Sequence, residues 1–181
     1  RIDYPRSGTL PGKKARPRAN VRPDRSVPIP ERVLSCGGMG GCSTVRARLV
    51  DSNTGFSRLL PAWWELLDRA ACPQPSRTPL WQRAWWSVFG GAAGRKLSVV
   101  VVESGADVIG IVPLSRRWAV RGGVLPVRAL ELVGSGEPEE DEIFSEYIGA
   151  IAAAGREEEV AAGFAELCCS GEMGPWEELI M

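Results

Sequence analysis

Leu97-Ser-Val-Val-Val-Val-Glu-Ser-Gly-Ala-Asp-Val-Ile-Gly-Ile-Val-Pro-Leu114 decides how this chain folds. Val99 to Val102 is an unbroken β-branched run, the pattern of a strand covered on both faces rather than one half-exposed to water. Helices must supply that cover. Glu103-Ser-Gly-Ala106 is a short connection with a glycine free to take φ > 0, after which Val108, Ile109, Ile111, Val112 and Leu114 return antiparallel. Gly110 interrupts the second strand and marks a bulge or a close backbone approach.

Working outward, Thr44 to Val50 alternates as a strand, and Asp51 to Gly55 reads as a polar turn. Phe56, Leu59, Leu60, Trp63, Trp64, Leu67, Ala70 and Ala71 then recur at helical spacing, with Pro61 as a kink or a first turn. Both tryptophans lie on the apolar stripe, so they are read as core rather than as a binding site. Thr78-Pro79 opens a second helix with an N-cap hydroxyl and a proline at its first position; Trp81, Ala84, Trp85, Val88 and Phe89 form its stripe, and Gly90-Gly91 stop it. Beyond the central stretch, Trp118–Val120 and Val124–Val133 flank Arg121-Gly-Gly123 as a second hairpin adding to the same sheet. Arg156 to Cys169 is a helix with Glu157, Glu158 and Glu159 in its first turn and Val160, Ala161, Phe164, Leu167 and Cys168 toward the core. The expected fold is α/β (α+β): a mixed, mostly antiparallel sheet of about five or six strands flanked by helices.

Composition bounds what such a domain can do. The 181 residues suffice for one core. Twenty-two basic and twenty-two acidic residues balance over the chain, but residues 1–50 hold eleven of the basic and three of the acidic ones. Residues 1–42, rich in proline and arginine and without apolar periodicity, read as a disordered basic head, and residues 43–181 as the domain. Met39 is a candidate true start, because strand patterning begins only after it. The head could touch phosphates but lacks aromatic residues to stack bases, so nucleic acid is the lesser reading. The absence of histidine excludes Ser-His-Asp and Cys-His catalysis and Cys/His zinc sites. Five cysteines at irregular spacing indicate neither a disulfide framework nor a metal knuckle, and no apolar run or leader pattern marks a membrane protein, so the expected location is the cytoplasm. The apolar element Trp176–Met181 breaks off at its sixth residue, which reads as an incomplete chain.

From Glu137 to Glu146 run six carboxylates with no basic residue. They form either a solvated acidic loop or the edge of a cleft that attracts a cationic substrate or a hard metal ion. Phe144, Tyr147 and Ile148 lead the end of this segment onto the sheet as a strand. Glu142, Glu146 and Tyr147 are therefore the candidate substrate-binding residues.

Trp64-Glu-Leu-Leu67, Thr78-Pro-Leu-Trp81, Ala84-Trp-Trp-Ser-Val-Phe-Gly90, Ile109-Gly-Ile-Val-Pro-Leu114, Leu130-Glu-Leu-Val-Gly134 and Asp141-Glu-Ile-Phe-Ser-Glu-Tyr147 occur in this order. Over roughly residues 45–181 this order resembles the N-terminal half of the CelD-like, FemAB-related acyltransferases of the GNAT superfamily. The resemblance implies two GNAT-like halves that move an acyl group from a thioester or aminoacyl carrier, acyl-CoA in the GNAT case, to an amine or hydroxyl of a small-molecule or glycan acceptor. It also implies that a C-terminal half is this chain's partner. Acyl-CoA in a GNAT domain is held by a Gln/Arg-x-x-Gly-x-Gly/Ala loop at a helix N-terminus, and no Arg or Gln here begins that pattern. The chain is therefore expected to hold no cofactor site and no metal, to carry no identifiable catalytic residue and to be inactive alone. A non-catalytic binding or scaffold module, and a nucleic-acid-associated protein acting through the head, are the alternatives from other classes.

Overall fold

The computed structural model describes residues 44–91, 94–141, 143 and 145–181. The basic head, the Met39 start and Glu142 lie outside these residues. In chain order the elements are β1 (Val45–Val50), α1 (Asn53–Arg69), a 3-10 turn (Pro75–Arg77), α2 (Pro79–Phe89), β2 (Lys96–Leu97), β3 (Val99–Ser104), β4 (Asp107–Val112), β5 (Leu114–Arg121), β6 (Leu125–Leu132), a 3-10 turn (Glu139–Asp141), β7 (Ile151–Ala152), α3 (Glu157–Ser170) and β8 (Glu178–Ile180). They build two four-stranded sheets, ordered β1-β3-β4-β7 and β2-β5-β6-β8. Every pairing is antiparallel except β6 with β8, which run parallel and are linked through α3.

The stretch quoted above joins the sheets. Leu97 faces Ser115 and Val100 faces Val112 in one uninterrupted register, and Ser98 N–H donates to the Leu114 carbonyl (2.9 Å) between them. One long hairpin thus serves the first sheet through β3 and β4 and the second through β2 and β5. Its turn is Gly105-Ala106, with Gly105 at φ 64°, the first central position of a type II′ turn. The register shifts between Val102 and Glu103, so Ile109 is the extra residue of a bulge. Beside it, a Cβ on Gly110 would collide with the methyls of Val160 on α3. Bulge and close approach both occur here.

Val99 to Val102 are each 0% exposed, and the two faces of β3 feed two separate apolar clusters. Val99, Val101 and Ile111 join Phe56, Leu59, Trp63 and Leu66 of α1, and Trp85 and Phe89 of α2. Val100, Val102, Ile109 and Val112 join Val160 and Leu167 of α3 with Leu130 and Met173. Helices cover both faces, as the valine run requires.

Several sequence expectations are corrected. α1 begins at Asn53, where the Ser52 side chain accepts from Gly55 N–H (3.1 Å), so Asn53–Gly55 are helix rather than turn. Pro61 lies inside α1 on its exposed side, where the carbonyl it leaves unpaired can be hydrated. Trp63 is fully buried but Trp64 is 46% exposed, because consecutive helical residues point about 100° apart. On α2 the buried face is Pro79, Gln82, Trp85 and Phe89, while Ala84 and Val88 are exposed. The polar Gln82 takes the inner position because its Nε2 donates to the Ser76 carbonyl (2.8 Å). Ala161 of α3 faces outward, and Gly163 packs against Val102 in its place. The second hairpin, β5–β6, belongs to the second sheet, and the segment carrying Tyr147 and Ile148 forms no strand, since pairing begins only at Ile151.

Candidate functional site

The end of β6 and the acidic segment enclose a cleft of about 350 Å³ lined by Gly134, Ser135, Gly136, Glu137, Ile143, Ser145, Glu146 and Ile148. Two glycines shape its floor. Gly134 (φ 107°) lies so close to Trp81 and Ile148 that a Cβ would approach them at 2.9 and 3.1 Å, and Gly136 (φ 73°) lies against the Glu131 carboxylate. The opposite wall is tied to the 3-10 turn before α2. Ser76 Oγ donates to the Glu146 carbonyl (2.6 Å), and Arg77 Nε donates to the Tyr147 carbonyl (2.8 Å). Held this way, Tyr147 adopts φ 60°, the one non-glycine residue in the left-handed region among those described. Such a conformation costs about 1–3 kcal/mol and persists where its surroundings over-determine it.

Behind the floor is a buried ionic network. Glu131, 3% exposed, accepts from Arg117 through Nε and Nη2 (2.7 Å each) and from Arg95 Nη1 (3.1 Å). Arg95 also donates to the Gly136 carbonyl and stacks over the Trp85 ring, 5.3 Å from its centroid. Burial pulls the Arg95 guanidinium below the usual arginine pKa, the Glu131 charge opposes this, and neighbouring Arg117 adds to the fall. Trp85 Nε1 in turn donates to Glu137 Oε1 (3.2 Å), which also accepts from Ile143 N–H (3.4 Å). Glu137 is thereby fixed in the cleft wall, whereas Glu146 is exposed and forms no ion pair among the described residues.

Of the residues singled out in the sequence, Glu146 lines the cleft and Tyr147 sits next to it, 65% exposed. Tyr147 contributes through its backbone carbonyl, which anchors the wall. No family model, no curated protein and no solved structure matches this chain. What the site can do therefore follows from its groups. Sequence reasoning counted Glu137 in the acidic run without singling it out, and missed the Arg95–Glu131–Arg117 network. Glu137 was hidden among five other acids. Glu131 did leave a trace, as a lone carboxylate inside the apolar run Leu130–Val133. Among the described residues no three Cys, Asp or Glu side chains converge as metal ligands. The chemistry available is attraction and orientation of a cation or a hydroxyl by carboxylates at the two ends of the acidic segment.

Proposed function

We propose that this chain is the acceptor-side half of a GNAT-type N-acyltransferase, in which the cleft beside Glu137 and Glu146 receives an acceptor amine or hydroxyl. One observation supports the reading: the two carboxylates stand at opposite ends of the acidic segment, the Glu137 side chain held by Trp85 and the Glu146 backbone carbonyl by Ser76, and both line one cleft. In the reaction, the acceptor nitrogen or oxygen attacks the thioester carbonyl of acyl-CoA, the new N–C or O–C bond forms, and the C–S bond breaks. The acceptor's proton passes to a carboxylate or water, and CoA leaves as thiolate. Glu137, already accepting two hydrogen bonds, serves as a positioning group; Glu146 is the group free to take a cationic acceptor or its proton.

The donor belongs elsewhere in this reading. α3 is the helix that links the parallel strands, and its first turn carries Glu157, Glu158 and Glu159, which repel a pyrophosphate. The two mostly antiparallel sheets flanked by helices are compatible with the resemblance drawn from the sequence. Among the described residues no helix is long and apolar enough to cross a membrane, and a cytoplasmic role in polysaccharide or cell-envelope synthesis is part of the proposal. Reading the natural gene past the Met181 codon tests it. An in-frame strand, Gln/Arg-x-x-Gly-x-Gly/Ala loop and helix is the expected result; a stop codon, with no acyl-CoA turnover by the native protein on amine or amino-sugar acceptors, overturns it.

A further inference from the structure

The other face of the second sheet holds a concentration of positive charge. A concavity of about 280 Å³ is lined by Gly94, Lys96, Arg116, Arg117, Trp118, Arg128 and Pro175. Lys96 and Arg116 stand directly opposite each other across β2 and β5, and Trp118 stands opposite Arg128 across β5 and β6. Side chains paired in this way share a sheet face, and like charges directly opposite are unfavourable unless something neutralises them.

The cations differ in what already holds them. Arg117 is bonded to Glu131, and Arg128 to Glu177 through Nη2 (3.1 Å). Arg116 donates from Nη1 to the Met173 carbonyl, and no carboxylate lies within 4.0 Å of Lys96 or Arg116 among the described residues. Asp51 and Glu172 line the adjoining cavity of about 530 Å³ without reaching either cation at ion-pair distance. Two unneutralised cations, with no side-chain acceptor in the lining, call for a ligand that only accepts and carries two negative charges. Trp118, 62% exposed with Arg128 5.7 Å from its ring centroid, offers a flat apolar surface next to them.

We infer that this concavity binds the phosphate monoester of a small ring-bearing molecule, the dianion between Lys96 and Arg116 and the ring against Trp118. The site is independent of the acceptor cleft, because it uses none of that cleft's residues. Its occupation also explains why two like charges are kept opposite each other on an edge pair of the sheet.

Isothermal titration calorimetry on the full chain at low ionic strength tests this with phenyl phosphate, inorganic phosphate and phenol as probes. Phenyl phosphate binds more tightly than inorganic phosphate, and phenol does not bind. Lys96→Gln and Arg116→Gln each weaken phenyl phosphate by about tenfold, the scale of one charge-assisted contact, with unchanged far-UV circular dichroism. Trp118→Ala removes the advantage of phenyl phosphate over inorganic phosphate. Arg58→Gln, an exposed charge on α1, leaves binding unchanged. Equal losses in Arg58→Gln and Lys96→Gln would reduce the effect to net charge and overturn the site. Tight binding of a single-stranded oligonucleotide without binding of phenyl phosphate overturns it in favour of a nucleic-acid surface.

Discussion

The two sheets share one hairpin and bury it by different means. In the first, β3 and β4 place Val99–Val102, Ile109, Ile111 and Val112 between helices on both faces, and shape complementarity sets what is tolerated. In the second, β5 and β6 carry Arg117 and Glu131 inward, and stability rests on whether each charge finds its partner. A continuous register therefore carries a half limited by volume and a half limited by charge. The candidate cleft and the cationic concavity both border the second half, where polar groups were already being held in place.

The largest expected effect breaks the charge side. Glu131→Ala leaves Arg95, whose side chain is 3% exposed, without its carboxylate, and should cost about 3–5 kcal/mol, read as a lowered midpoint in urea unfolding at unchanged slope. A loss no greater than that of an exposed substitution would erase the contrast between the sheets. Replacing Arg95, Arg117 and Glu131 together by apolar residues of similar volume should recover most of the loss.

Next comes the volume side. Gly110→Ala forces a methyl against Val160 and should cost about 1–3 kcal/mol. A double-mutant cycle with Val160→Ala should show the two changes to be coupled, since Val160→Ala vacates the space that the methyl needs. Strict additivity would mean that α3 does not press on β4 at this point.

A smaller effect sharpens the boundary between network and cleft. Trp85→Phe keeps a ring under Arg95 but removes the hydrogen bond to Glu137, and should cost about 0.5–1.5 kcal/mol in thermal unfolding. The same variant should loosen the Ile143 amide in hydrogen exchange, because Glu137 also holds that N–H.

The smallest effect is one of pH. Hydrogen bonds from the Arg128 side chain and then its backbone N–H hold the Glu177 carboxyl below the usual carboxylate range. A depressed folded-state value means that this contribution is complete above the unfolded glutamate range and is lost as pH falls through the folded one. Amides of β8, which Glu177 precedes, should exchange faster as pH drops through that window after correction for intrinsic rates. Glu177→Gln should remove that dependence.

The central hairpin was legible because β-branched repetition, a turn glycine and an interrupting glycine each have one local physical reading. Helix existence was legible for the same reason, through Thr78-Pro79 and the spacing of Phe56, Leu59 and Trp63. Which side of a helix faces inward was less so, since Gln82 is placed by a hydrogen bond to a carbonyl six residues away rather than by its own polarity. The division into two sheets also escaped, because no residue type announces where a long strand changes neighbours at Ser98 and Pro113. At the cleft, Glu146 was singled out through a strand that does not form, and the places of Glu137 and the Arg95–Glu131–Arg117 network depend on pairs 14 to 52 residues apart. Composition cannot rank members of such pairs.

The bulge at Ile109 has a consequence for how the chain finds its native state. The Gly105-Ala106 turn closes a loop of minimal length, and a hairpin of this kind forms on the microsecond scale, ahead of the longer-range joining of β1 or β8. Every later element docks onto the phase that the turn and the bulge have set between them. Removing the single residue at 109 would let Glu103–Val108 and Val102–Gly110 follow each other in one regular register, keeping every other side chain on its face but losing the bulge and Ile109's place in the cluster on the α3 side.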